Sequence, residues 1–354
     1  MHPRWSEDFR PRPDGDARIA GPARTEAGAR AAFLGRQAGA GADPAELLER
    51  AAAAADPRTG LFAAVPDAEP GPAGLWACGI SVLDPFGVLP DGTPGVLVPG
   101  YGGAARSARL DAVLGALAVS GTFAAVAHAR RVREVWGLDL VTGRLRRVPA
   151  AEAYAAPAPG APFRPLPGAA AGLTWGAAVE TALTRHCEEL VAHRLAEPGA
   201  RVPRLALPGD ADAPLRALRD LGEPVAHDLS ALLSVPACAI RLPAAADRDG
   251  GTGTVVAVGA TRTEAVATAV RRALILGAGP SVPAGSAVPC VPAVTREQEA
   301  PGPPVPAERG TPGRTGFVEA LRARGRTPVA VLLDHDPRAV RLLPYLVQVV
   351  LTED

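Results

Sequence analysis

Lysine is missing from all 354 residues, so the 37 basic side chains are all arginine. That absence excludes a Schiff-base lysine, a phosphate-loop lysine and a lysine general base. Cysteine is sparse. Cys78, Cys187, Cys238 and Cys290 lie far apart, with no CxxC pair and no Cys/His cluster, and read as buried free thiols of a reducing cytoplasm. Net charge is also missing, because 37 acids balance 37 arginines. Bulk attraction to nucleic acid or to an anionic membrane is therefore not expected. The four tryptophans and Tyr101 lack the basic interleaving of a nucleic-acid surface. No apolar run reaches the ~20 residues of a membrane helix, and the first sixteen residues carry charge and proline where a signal peptide needs an apolar core. The expectation is a soluble, cytoplasmic protein.

Ala, Gly, Pro and Arg dominate, which reads first as a high-GC coding bias. Residues 1–45 hold few large apolar groups and read as a flexible arm, since such a composition buries too little surface to offset ordering entropy. Residues 46–354 then alternate strand and helix signals. Helices are expected over residues 45–55 (started by Asp43-Pro44), 105–120, 172–194, 213–221 (capped by Asp212), 263–276 and 316–325. Strands are expected over 61–65, 74–83, 95–98, 123–127, 132–139, 144–148, 224–228, 237–242, 254–259, 328–334 and 345–351. Residues 278–314 are so rich in Pro and Gly that a long, structureless excursion is expected. The fold class is α/β, or mixed α+β, with mixed sheets flanked by helices.

Three stretches share one outline, a glycine at a strand end followed by a helix: near Gly100, near Gly172 and near Gly259. The first, Gly100-Tyr101-Gly102-Gly103-Ala104-Ala105, satisfies the GxGxxA pattern of dinucleotide folds, but no acid stands where the ribose would need one. In the second, Val179, Ala182, Leu183, His186, Glu189, Leu190 and His193 fall three and four apart. His186, Glu189 and His193 have the spacing to converge on a cation. The plainer reading is a polar helix edge with a Glu189–His193 pair worth a few tenths of a kcal/mol at about one turn's separation.

Taken in order, several segments resemble the YcaO family, ATP-dependent enzymes that cyclise Cys, Ser or Thr of ribosomal peptides to azolines or make thioamides. Asp56-Pro57-Arg58-Thr59-Gly60-Leu61 resembles the family's opening turn. Residues 100–121 resemble its Gly-rich entry and first ATP helix. Trp136-Gly137-Leu138-Asp139-Leu140 with Val148-Pro149-Ala150 resembles its hairpin. Residues 172–194 and 259–276 resemble the second and third ATP helices, and residues 329–351 the closing strands. The resemblance implies a YcaO-like fold, a site for ATP and magnesium on the three helices, and a dimer.

The chain departs from that pattern where the family's magnesium-holding glutamates are expected. On the first helix Asp111 is a shortened glutamate, while Leu114 and Gly115 replace the following Glu and Arg. On the second, Glu189 matches, but Ala192 and His193 replace the Glu-Arg pair. On the third, Arg272-Ala273-Leu274 matches, but Leu276 and Gly279 replace a Glu and a Gln. Residues 112–124 and 265–296 contain no acid at all. The sequence given also stops at Asp354, where azoline-forming members usually carry a Pro-rich tail. The expectation is a degenerate member with no catalytic residues, no metal and no cofactor of its own. Glu189, Asp111, Gly100 and Gly102 are vestigial nucleotide-site positions. Its expected partners are a precursor peptide and an intact YcaO-type or leader-binding cyclodehydratase subunit, with neither nucleic acid nor membrane. The alternative is an active ATP-dependent cyclodehydratase whose site is rebuilt from Asp111, Glu180, Glu188, Glu189, His186 and His193.

Overall fold

The computed structural model describes residues 25–71, 74–90, 93, 95–155, 166–207, 213–241, 254–277, 290–291, 294, 298–300, 305–306 and 313–353. The chain begins with α1 (Glu26–Ala38), α2 (Pro44–Ala53), β1 (Glu69–Pro70), β2 (Trp76–Val82), β3 (Val96–Gly102) and α3 (Ala105–Ala129). It continues through β4 (Glu134–Asp139), β5 (Leu145–Pro149), α4 (Ala150–Ala153), β6 (Ala169–Ala171), α5 (Trp175–Ala196), β7 (Leu205–Ala206) and α6 (Ala213–Leu221). Then come β8 (Val225–Asp228), α7 (Ser230–Leu233), β9 (Ala237–Arg241), β10 (Thr254–Val258), α8 (Arg262–Gly277), β11 (Cys290–Val291) and β12 (Val305–Pro306). The last elements are α9 (Gly313–Arg322), β13 (Arg326–Leu332), α10 (Pro337–Leu342) and β14 (Leu346–Glu353).

These strands make three antiparallel sheets, ordered β1-β2-β3, β5-β4-β13-β14-β6 and β11-β10-β9-β8, and a short parallel pair, β12-β7. α3 packs on β2 and β3 and also on β6 and β14, so it is shared by the first two sheets. α5 packs on β14 and β6 and on β10, so it is shared by the second and third. α8 packs on β9 and β10, with α6 against it. The mixed α/β class expected from the sequence, with sheets flanked by helices, is the one found.

Two apolar cores result, with β9 and β10 as the wall between them. Period-2 alternation sends Val256, Val258, Ala237 and Ala239 into the larger core, with α3 and α5. It sends Val255, Ala257, Cys238 and Ile240 into the smaller one, with α6 and α8.

Residues 61–65, expected as a strand, form only an isolated bridge from Phe62 to Val82, and two larger expectations need correcting. The flexible arm is helical from Glu26, capped by the Thr25 hydroxyl, and it packs: Ala29 and Phe33, one turn apart, are buried, and Phe33 meets Trp175 edge-on with centroids 5.8 Å apart. Arg36 fixes it further, donating to Asp334 and to the Pro344 carbonyl at 3.0 Å each. Overall composition hides a stripe of only two anchors; residues 1–24 lie outside the described residues. Residues 123–127 are the second case, helical and part of α3 instead of a strand. Phe123 to Val126 are all buried, and a fully buried helix segment shows the same unbroken apolar run as a strand.

α3 is long and apolar enough to cross a membrane by composition, yet most of its apolar window is buried inside the protein. The excursion over 278–314 is tied back where it is described. Cys290–Val291 pairs with β10, and Val305–Pro306 with β7. Gln298 accepts from Val202 N at 2.8 Å and reaches the Leu195 carbonyl at 2.7 Å. The remainder of that expectation, and Asp212 as a cap, fall outside the described residues.

Candidate functional site

Three strand ends enter three helices by one local device. Gly102, Gly172 and Gly259 are each followed two residues later by a cap position (Ala104, Thr174, Thr261), and the helix starts on the next residue. A Cβ on these glycines would lie 2.7, 2.4 and 2.6 Å from the backbone nitrogens of Ala108, Ala178 and Ala265. In every case that alanine is six residues on, so the glycine is dictated by close approach of strand end to helix. The capping chemistry differs. Ala104 N donates to Ser107 Oγ at 3.1 Å, and Ala177 N donates to Thr174 Oγ1 at 3.1 Å. Thr261 and Glu264 form a reciprocal box, with Glu264 N donating to Thr261 Oγ1 at 3.1 Å and Ala260 N to Glu264 Oε2 at 3.0 Å.

Counting thirteen residues from each glycine reaches Gly115, Arg185 and Arg272. The two arginines meet between α3, α5 and α8. Arg272 grips Glu188 with both arms of its guanidinium, at 2.7 and 3.1 Å, and donates to the Val256 carbonyl at 2.6 Å. Glu188, buried at 2% exposure, also accepts from Val258 N at 3.3 Å. Arg185 donates to the Ala169 carbonyl. Burial pulls its guanidinium below the usual range, opposed by the charges of Glu188 and Asp111.

Asp111 stands across the cluster on α3. It keeps access to solvent although protein surrounds it on most sides, and its Oδ2 accepts from Tyr101 N at 3.0 Å. Desolvation raises its pKa, while Tyr101 N–H and then Arg185, Arg271 and Arg272 work in the opposite direction. Three guanidinium groups against two carboxylates leave this convergence one positive charge in excess.

Of the vestigial nucleotide-site positions expected from sequence, only Asp111 is in the cluster, joined by Glu188 from the set named for a rebuilt site. Glu189 is exposed on the outer side of α5, and Glu188 takes the inward position: a correction of one residue. Gly100 and Gly102 serve packing, since a Cβ on Gly100 would lie 2.1 Å from Ala112 N, and one on Gly102 the same distance from Ser107 Oγ. The His186–Glu189–His193 face does not converge. His193 is exposed, while His186 Nε2 donates to the Val349 carbonyl at 2.8 Å. Arg185 and Arg272 carried one sequence signal, the equal offset of thirteen residues from two of the three glycines.

The cluster does not fit acid-held magnesium. Mg²⁺ wants near-octahedral oxygen ligands, and several carboxylates are needed to hold it against a triphosphate. Among the described residues no group of three or more His, Cys, Asp or Glu converges. Both Glu188 oxygens are already taken by Arg272.

A second polar cluster closes the far end of the five-stranded sheet. His335 lies 4.4 Å from the His128 ring and 5.1 Å from the Tyr154 ring, whose hydroxyl donates to the Leu332 carbonyl at 2.8 Å. Neither His335 ring nitrogen has a partner among the described residues. Burial, then His128, lower the His335 pKa to about 3. The thiols of Cys78, Cys187 and Cys238 are free and buried, and burial pushes Cys187 up to about 12.

No protein-family model and no curated protein matches this sequence. Solved structures do. YcaO from Methanopyrus kandleri, bound with AMPPCP and Mg²⁺, matches with a TM-score of 0.55 and 15% identity over 81% of this chain and 84% of that one. A heterocyclase in complex with substrate and cofactor matches with a TM-score of 0.62 and 13% identity over 89% of this chain. The match spans 53% of that heterocyclase. The likeness is one of fold: this chain is built as YcaO-type proteins and heterocyclases are built.

Proposed function

We propose that this chain is a YcaO-like protein of azole-containing ribosomal peptide biosynthesis, of the thiopeptide or linear azoline kind. It acts in the cytoplasm as a non-catalytic accessory subunit that pairs with an intact cyclodehydratase and helps to position the precursor peptide. One observation carries this reading. Where three helices converge, the inward acid of α5 is locked by Arg272, and the inward position of α8 is itself that arginine. A cluster with excess positive charge repels Mg²⁺ that carboxylates would gather.

Titration calorimetry with ATP and magnesium tests it. No heat of tight binding is expected for the purified chain, whereas an intact cyclodehydratase added to it should co-elute on gel filtration. Tight, magnesium-dependent ATP binding by this chain alone would sink the proposal.

The solvent-accessible Asp111 beside three guanidinium groups favours a second reading, an active ATP-dependent cyclodehydratase with a rebuilt site. Phosphate release that depends on precursor peptide and disappears in Asp111→Ala is the outcome it requires.

A further inference from the structure

The arginines are unevenly spread. Six of them, Arg130, Arg131, Arg133, Arg144, Arg146 and Arg147, fall within residues 130–147, in a chain of zero net charge. All but Arg146 are exposed. Only two acids share the stretch, and both are occupied. Glu134 pairs with Arg147 at 3.2 Å. Asp139 is buried and holds the hairpin turn, accepting from Val141 N and Thr142 N at 2.8 Å each. The other five arginines make no ion pair among the described residues.

The same stretch contains a sheet edge. β5 is the outermost strand of the five-stranded sheet and pairs only with β4. Asp139 N donates to the Arg144 carbonyl, and Ala150 N donates to the Arg133 carbonyl, both at 2.9 Å. Even-numbered residues of the strand therefore turn their backbone groups towards β4, and Leu145, Arg147 and Pro149 turn theirs outward. No strand among the described residues pairs with that outward edge. Arg147 lies over the Trp136 ring at 4.6 Å, which covers one face of this half-buried aromatic.

We propose that the β5 edge and its arginines form a docking site for an extended, acidic segment of a partner protein, which adds to the sheet as a sixth strand. Unpaired N–H and C=O groups supply the main-chain pairing, as in strand addition to other sheet edges. Guanidinium groups on and around the strand supply complementarity to alternating carboxylates. Nucleic acid suits the site less, because single-strand binding leans on free aromatic platforms and Trp136 is already covered by Arg147.

The test uses the full chain and fluorescent ten-residue peptides followed by anisotropy. One peptide alternates Glu with Val, one keeps the Glu but has Pro at the alternate positions, and a uridine oligonucleotide serves as competitor. Saturable binding of the Glu/Val peptide is expected, weakening as NaCl is raised. At least tenfold weakening is expected in R144E/R146E/R147E and at least threefold in R130E/R131E, which lies outside the strand and reads the site even if the triple variant misfolds. The proposal is overturned if the Glu/Val peptide fails to bind, or if the Pro peptide binds equally well. It is also overturned if the Arg→Glu variants with native circular dichroism keep full affinity, or if the oligonucleotide binds more tightly.

Discussion

At the scale of single residues, adjacent glutamates on α5 have opposite fates. Glu188 is buried against Arg272, so its removal strands a guanidinium whose side chain is only 22% exposed. Breaking one partner of such a pair costs about 3–5 kcal/mol. Glu189 faces water, so its change stays within about 0.5 kcal/mol. Urea unfolding of Glu188→Ala and Glu189→Ala should separate the two by that margin; equal losses would mean that Glu188 is not the inward acid.

His335 sets a pH dependence. Its folded-state pKa of about 3 lies below the ordinary 6.5. Between these values the unfolded chain binds a proton that the folded chain refuses, so stability falls as pH drops below 6.5. From pH 7 to pH 5 that amounts to about 2 kcal/mol. His335→Phe should remove this part of the slope in unfolding curves taken at both pH values. Asp111 and Asp334, whose pKa values are raised by desolvation, tilt stability the other way. The difference between wild type and variant is therefore the quantity to read.

At the scale of elements, the three glycine-led helix entries are what the sequence made most legible. Gly102, Gly172 and Gly259 punctuate strand and helix in an otherwise monotonous Ala-rich chain, and helices begin where the caps fall. Which helix face turns inward was not legible on α5. Ala, Val and Leu occur around much of its circumference, so apolar spacing could not choose between Glu188 and Glu189. The residue that chooses is Arg272, on a helix 84 positions further along. α1 escaped for a similar reason: Phe33 finds Trp175 far down the chain, and no local pattern announces it. The entries themselves can be tested. Gly259→Ala would put a methyl group 2.6 Å from Ala265 N. Relief of that overlap costs about 1–3 kcal/mol, seen as a lower urea midpoint with an unchanged slope.

At the scale of the whole molecule, the β9–β10 wall has apolar material on both faces, and each face belongs to a different core. The α5 helix lies on one side of that wall and α8 on the other. The Glu188–Arg272 pair, with the backbone of Val256 and Val258 as its other partners, crosses it at a strand level where both helices are held. That pair thereby decides how many units the protein melts as. With it in place, the two cores should lose structure in a single transition, with van't Hoff and calorimetric enthalpies that agree. In Glu188→Gln the guanidinium keeps a neighbour of the right shape but loses the charge that holds it. Scanning calorimetry should then resolve a low-temperature step for the smaller core around α6 and α8, ahead of the larger one. One ion pair would in this way set the cooperativity of some three hundred residues.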